Sequence, residues 1–405
     1  MAESNGAWRL VRRNPTFGAL WTARTVSFAG DSLAHIALIL YVANRLGGGP
    51  AVAGVLLVTD FSPTITAPFL GTLGDRIDRR RLMIATEVVQ GAVVLLIAAW
   101  TPGLAGLLVL VAINANLARI FAPASSSAVP QLVAESDLAV ANSAIGFGTY
   151  GLAILGPLGA AALMPLIGLR GVLVVDAGSF VASALLLWRL PALPPHGATE
   201  RASFWRETWT GLRYVWRNRI VRITVIGFAL IVVCTALDDV ALVFLAKHSL
   251  HAGSSAASLL YAGADAGLLL GFLLLTRIRP VAAPLLFVAG IVVSSLGNMM
   301  TGLSWLIALA VVSQIVRGLG IAGQDTGSNT LLQRHVPTDL QSRVFANFYN
   351  AIGLAAGISY LAGGLALISA SPRAVLAGAG AAGIVVACGT AIALYRALRS
   401  TQPTA

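Results

Sequence analysis

Arg24, Asp31 and His35 interrupt an otherwise apolar stretch, TFGALWTARTVSFAGDSLAHIALILYVA. Arg24 and Asp31 are seven residues apart and Asp31 and His35 four, so on a helix all three lie near one face. Asp60 stands in a second apolar stretch beside Pro63 and Pro68, which loosen a helix locally. Asn114, Asn116 and Arg119, then Asp176, Asp238-Asp239, Asp265, and Arg317 with Asp325, occupy later stretches. A charge in such surroundings costs about 2.5–3.5 kcal/mol even on a lenient membrane-insertion scale, so each one needs a reason. A carboxyl that passes between water and a drier environment changes its proton affinity, which couples protonation to conformation. Asp31 and Asp60 are the candidates for this chemistry, and His35, with an ordinary pKa of about 6.5, is able to share the proton. The competing reading of Asp31 is a self-neutralising pair with Arg24; no basic residue lies within the apolar segment that holds Asp60. Asp238 and Asp239 read as gate or vestibule residues, or as solvated charges at a helix end. Glu87 reads as a partner for nearby loop arginines, and His248 and His251 as solvated.

The segments that must position these residues follow from composition. The chain of 405 residues is 57% hydrophobic and 11% charged, with mean hydropathy +0.83; a soluble domain carries about 25% charged residues. Twelve apolar spans are expected, at roughly 17–43, 51–71, 82–101, 104–124, 139–165, 167–189, 220–246, 255–276, 281–301, 303–325, 343–369 and 373–395, each long enough to cross a ~30 Å hydrocarbon core. The first of them reads as a retained membrane helix rather than a signal peptide. Arginine is concentrated in both termini and the even-numbered connections, whereas the odd-numbered ones hold only Arg45, Arg170, Lys247 and Arg373. That asymmetry places both termini in the cytoplasm. The net charge of +11 then points to anionic membrane lipid as partner and not to nucleic acid. The two cysteines lie inside apolar segments, so neither a disulfide framework nor a metal site is expected.

Two connections stand out. Residues 71–83, GTLGDRIDRRRLM, are strongly charged between two apolar spans. The long connection 190–219 opens with PALPPHG, a linker composition. In it Trp205, Trp209, Leu212 and Trp216 share one helical face, while Arg206, Arg213 and Arg217 fall mainly elsewhere. This helix lies either in the cytoplasmic interface or against cytoplasmic loops. The connection divides the chain into residues 1–189, the linker 190–219 and residues 220–405. A faint internal repeat relates Arg119, Pro130 and Asp137-Leu138 to Arg317, Pro337 and Asp339-Leu340; parallel halves around a central cavity are a known transporter plan.

Gly71, Leu73, Asp75, Arg76, Arg79 and Arg80, with Gly74 between them, resemble the loop between helices 2 and 3 of the major facilitator superfamily, roughly G-x-L-a-D-R-x-G-R-R. Asp78 stands where that pattern has glycine. The resemblance covers essentially the whole chain. It implies an all-α integral membrane protein of twelve transmembrane helices in two six-helix halves. It also implies that Asp75 caps a helix of the opposite half, a place where carboxylates are stabilised, and that the arginines bridge to carboxylates. Arg119 matches a helix 4 arginine of proton-coupled members; pairing with the charged loop is the competing role. The stretches ARTVSFAGDSLAHIAL, LWRLPALPP, FWRETWTGLRYVWRNR and LLQRHVPTDLQSRVFA resemble the branch of siderophore exporters and macrolide-type efflux pumps. Gly151, Gly156, Pro157 and Gly159 partly resemble an exporter motif, although close packing explains them equally well.

These features imply proton-coupled export of a hydrophobic or amphiphilic small molecule by a monomer in a bacterial plasma membrane. Its partners are protons, substrate and lipid, and no cofactor beyond the proton gradient is expected. The alternatives are an importer or proton symporter, and a non-transporting sensor on the same fold. No GxxxxGK[ST] loop is present to bind a nucleotide. No metal-ligand cluster or G-x-S-x-G elbow supports an embedded enzyme.

Overall fold

In a computed structural model the chain is described over residues 2–74, 77–134, 137–146, 148, 155–194, 204–275 and 282–399. Among these residues there are helices and no strands. The helices are α1 Ala2–Arg13, α2 Pro15–Arg45, α3 Gly48–Gly74, α4 Arg79–Trp100, α5 Leu104–Leu132, α6 Leu138–Gly146, α7 Leu155–Leu187, α8 Phe204–Arg217, α9 Arg219–Thr235, α10 Asp238–Phe244, α11 Ser254–Leu275, α12 Ala283–Leu303, α13 Ile307–His335, α14 Thr338–Ser369 and α15 Pro372–Arg399.

Ten helical stretches among the described residues are long and apolar enough to cross a membrane. One of them, α7, is broken at Gly168, where φ is 64°, a left-handed geometry that glycine adopts without a Cβ penalty. That break separates the expected fifth span, whose earlier part includes α6, from the sixth. The 27-residue α3 corresponds to the expected second span. The twelve-span organisation of an all-α membrane protein is therefore present. The expected ends move: the fourth span runs to Leu132 rather than residue 124, through Pro123 and Pro130, so Arg119 lies inside α5 and not at its end. α1 was not foreseen; its Trp8 ring meets Trp21 edge to face at 5.4 Å.

α4 is inverted relative to a helix of a soluble protein. α4 buries Thr86, Glu87, Gln90 and Gly91 and turns Val88, Val89, Leu95 and Leu96 outward. Lipid makes no demand that apolar groups hide, whereas polar groups must face protein.

Two compact units are distinguished. The first comprises Met1–Leu46 and Val58–Glu200, the second Gly47–Leu57 and Arg201–Ala405. In the first, α2 and α4 pack on α7, and a Cβ at Gly30 would run into Ser179 and Asp176. Phe17, Leu20, Met83, Phe121 and Leu187 form its apolar core. In the second, α12 and α13 approach so closely that a Cβ at Gly290 or Gly297 would overlap the backbone of Gln324 or Arg317. Small residues at such crossings supply the dispersion contacts that replace the hydrophobic effect in lipid. Phe228, Phe287 and Phe348 complete its core.

α8 resolves into strips. Gly211 and Val215 are buried, and Tyr214 donates a hydrogen bond to the His335 carbonyl (2.6 Å). Trp209 is 68% exposed and Trp216 56%, and Arg213 and Arg217 are exposed on an adjoining strip. Packing against helix and presenting an aromatic face thus occur together, on different sides. Trp205 and Arg206 have side chains outside the described residues.

Candidate functional site: a carboxylate-lined cavity

Phe28, Asp31, Ser32, His35 and Leu38 recur at helical spacing on α2 and form one wall of a cavity of about 500 Å³ in the first unit. α3 contributes Asp60, α5 Asn114 and α7 Asp176, with Val94, Ile97 and Leu173 among the apolar lining. Helical spacing sets Asp31 and His35 on one face of α2, and the fold brings Asp60 of α3 to them, with His35 close enough to Asp60 for electrostatic contact. Asn114 is within hydrogen-bonding reach of the Asp31 carboxyl. Asn116, on the same helix, donates to Ser62 Oγ at 3.1 Å and accepts from Thr66, so it ties α5 to α3.

Arg24 is placed differently from the self-neutralising reading. Its guanidinium donates to Ser125 Oγ (2.5 Å) and Ser126 Oγ (3.3 Å), while Asp31 has Asp176 and Glu87 as electrostatic neighbours. Two turns of helix separate Arg24 from Asp31, about 10 Å along the axis, which allows them separate partners. Arg119 is exposed and is not among the described cavity lining.

Glu87 departs from the expected pairing with loop arginines. It is fully buried rather than directed at loop arginines, and it lies against Ser27 and Ser183, within electrostatic reach of Asp31. Neither of its carboxyl oxygens has a hydrogen-bond partner among the described residues, and Asp176 Oδ2 is in the same position. The other oxygen of Asp176 accepts a 3.4 Å bond from Ser179. The signal for Glu87 was present in the sequence: Glu87, Gln90, Gly91 and Val94 share the helical face opposite Val88, Leu95 and Leu96.

Asp238 and Asp239 belong to the second unit. Asp238 is buried, not a solvated helix-end charge, and its Oδ2 lies 2.5 Å from Arg317 Nε. The contact is an ion pair without the angle of a hydrogen bond. The break between α9 and α10 sets Asp238 at this position. Asp239 accepts a hydrogen bond from Tyr360 at 3.3 Å, and its backbone carbonyl accepts one from Tyr261 at 2.5 Å. Asp265 is within electrostatic reach of Arg317. The faint repeat therefore relates an exposed Arg119 to a partly buried, paired Arg317.

Of the charged connection, Asp75 and Arg76 lie outside the described residues, and Gly71, Leu73 and Gly74 form the last turn of α3. Asp78, the departure from the family pattern, is the N-cap of α4: Oδ1 accepts from the Arg81 amide (3.0 Å) and Oδ2 from the Leu193 amide (2.7 Å). Arg80 donates to the Trp188 carbonyl, not to the expected carboxylate, and Arg79 to the Pro194 carbonyl at 3.4 Å. This end of the loop is fastened to the start of the long connection. In the Gly-Pro motif, Gly151 lies outside the described residues. Gly156 and Pro157 are buried, and a Cβ at Gly156 would overlap Ser32; Gly159 faces Leu33.

Residues 20–360 match the family model described as Major Facilitator Superfamily. The chain is 24% identical over 369 residues to the MFS-type transporter YfiS of Bacillus subtilis (strain 168), covering 88% of each. It is 24% identical over 226 residues to macrolide efflux protein A of Streptococcus pyogenes, 54% of each chain. In fold it is similar to the nucleoside transporter NupG, with TM-score 0.75 at 14% identity over 95% of this chain and 98% of that one. A bacterial homologue of the lysosomal transporter Spinster gives 0.68 at 16% identity, over 94% of each chain.

Proposed function

The chain belongs to the major facilitator superfamily, and from that premise we propose that this multi-pass membrane transporter exports a hydrophobic or amphiphilic small molecule in exchange for protons. The observation that carries this reading is the cavity of the first unit. Asp31, Asp60, Asp176 and His35 line it among apolar side chains. An apolar cavity of about 500 Å³ suits a drug-sized solute. Titratable groups on its wall are the means by which a proton gradient biases one conformation over another. The partial relation to a macrolide efflux protein supports export. Fold does not decide direction, since transporters named for nucleosides and peptides share it.

In this reading residues 1–189 and 220–405 are halves that alternate access to opposite sides, joined by 190–219. The protein works as a monomer in the plasma membrane of a bacterium with both termini in the cytoplasm, as the arginine asymmetry supports. Gly71 to Arg80, from the last turn of α3 to the first of α4, carry the conformational switch. Asp31 and Asp60 carry the transported proton; Arg119, exposed on α5, and Asp238–Arg317 act in conformational change.

The test is dye efflux from energised cells and uptake into everted vesicles, comparing wild type with Asp31→Asn and Asp60→Asn, with and without a protonophore. Protonophore-sensitive efflux that collapses in either variant at normal expression is expected. Efflux that ignores both the protonophore and the substitutions removes proton coupling through these residues. Protonophore-sensitive accumulation in intact cells would replace the exporter with a symporter.

A further inference from the structure

We propose that the cavity of the first unit selects organic cations: apolar molecules bearing one positive charge, seated against Asp31 and Asp176, with Glu87 behind them as a third carboxyl. This deepens the transport reading above and rests on it for the cavity being a substrate site.

Three observations converge. The described lining includes Asp31, Asp60 and Asp176 and no Arg or Lys. Glu87 is fully buried with only the Ser27 and Ser183 hydroxyls beside it, neither at the geometry of a full hydrogen bond, and it lies within electrostatic reach of Asp31 and Asp176. Asp176 is 1% exposed with one oxygen likewise unsatisfied. Three acids from α2, α4 and α7 thus meet beside an apolar cavity, and among the described residues none of the three is in an ion pair.

Ionised carboxylates in such a place must be compensated. Arg24 on α2 donates to Ser125 and Ser126. His35 on α2 neighbours Asp60 of α3. Arg119 on α5 is exposed and not in the described lining. Positive charge must then come from mobile species: protons when the cavity is empty, and a cationic solute when it is filled. A quaternary or protonated amine brings one charge and apolar groups for Phe28, Val94, Ile97 and Leu173. It displaces a proton from the carboxyl cluster to solvent, so the two cations compete for one set of acids.

The purified full chain in detergent is titrated with tetraphenylphosphonium and with tetraphenylborate, an anion of the same shape, after subtraction of empty micelles. Saturable binding of the cation with proton release in a weakly buffered solution is expected, and the anion is not expected to compete. Glu87→Gln and Asp176→Asn should each weaken the cation by about tenfold or more, the worth of one charge-assisted contact, and lower the number of protons released. Equal binding of the anion overturns the inference, as does cation affinity in both variants close to wild type. Should one variant not fold, the other and the wild-type cation–anion comparison still decide. Cation binding with proton release but no flux in vesicles leaves this inference standing and removes the transport reading. Flux of neutral solutes without cation binding does the reverse.

Discussion

In the second unit a buried carboxylate meets a guanidinium; in the first, buried carboxyls meet one another. Asp238 lies 2.5 Å from Arg317, with Asp265 also in that arginine's field. Asp31, Asp176 and Glu87 share a cavity wall and the space behind it, with no described lining Arg or Lys. The Asp238–Arg317 pair is compensated from its own side chains and has the character of a fixed structural tie. The cluster of the first unit is incomplete without a visiting positive charge. Buried charge in a membrane helix is commonly read as function, but the pairing decides which kind. A self-compensated pair governs which conformations are stable, and an uncompensated cluster governs what is bound.

The largest expected effect tests the tie. Arg317→Ala leaves Asp238 buried without its partner and should cost about 3 kcal/mol or more, read as a drop in melting temperature of the purified protein. Removing both members, in Arg317→Ala with Asp238→Ala, should recover part of the loss. The counterpart in the first unit, Asp176→Asn, removes a carboxyl that has no ion-pair partner among the described residues. It should change stability by less than about 1 kcal/mol, since neutralising an unsatisfied group relieves its desolvation. If Asp176→Asn melts as early as Arg317→Ala, the contrast between the units is wrong.

The carboxyls of the first unit should matter more to transport than to stability. Glu87→Gln, at normal folding and expression, should lower protonophore-sensitive efflux by about tenfold, the cost of losing one interaction of 1.4 kcal/mol. Gln is close in shape, so packing against Ser27 and Ser183 is kept. Full activity in Glu87→Gln would confine the functional carboxyls to the cavity wall itself.

The sequence carried the spans and their number because apolar length is a one-dimensional property. It also carried the meeting of Asp31 and His35, because both lie on one helix where spacing defines a face. Asp60 joined them by virtue of being charged in an apolar segment. Partners on other helices were beyond its reach. Along the chain the nearest partners for Glu87 are the loop arginines; in the fold it faces α2 and α7. Asp238 offered no sign of Arg317, which is 79 positions away. Asp78 looked like a tolerated departure from a pattern, and its role is a cap that also holds Leu193. Periodicity defines a face; which helix meets that face depends on packing between segments remote in the chain.

A smaller effect is expected where helices cross. In α7, a Cβ at Gly156 would overlap Ser32 of α2, whereas a Cβ at Gly178 would meet nothing within 4 Å. Gly156→Ala should therefore destabilise by about 1–3 kcal/mol through forced displacement of α2. Gly178→Ala should be neutral or stabilising by up to about 1 kcal/mol, the helix-propensity gain. Since Ser32 lines the cavity next to Asp31, Gly156→Ala should also alter cation affinity. Unchanged affinity would mean that the cavity tolerates movement of its α2 wall.

The smallest effects on stability belong to the outward side of α8. Trp209 and Trp216 are 68% and 56% exposed, so replacing both with alanine removes little packing and should move stability by no more than about 0.5 kcal/mol. Gly211, on the other side, would press a Cβ into Asn347 and the Arg343 backbone, and Gly211→Val should cost about 1–3 kcal/mol. The tryptophans should matter in a different readout. An aromatic strip beside exposed Arg213 and Arg217 suits the headgroup region of an anionic bilayer. Lipids brominated near the headgroup should then quench part of the protein's fluorescence, and that quenched part should disappear in the double alanine variant. Equal quenching in the variant would place these two side chains in water, leaving α8 held by its contacts with α9, α14 and His335.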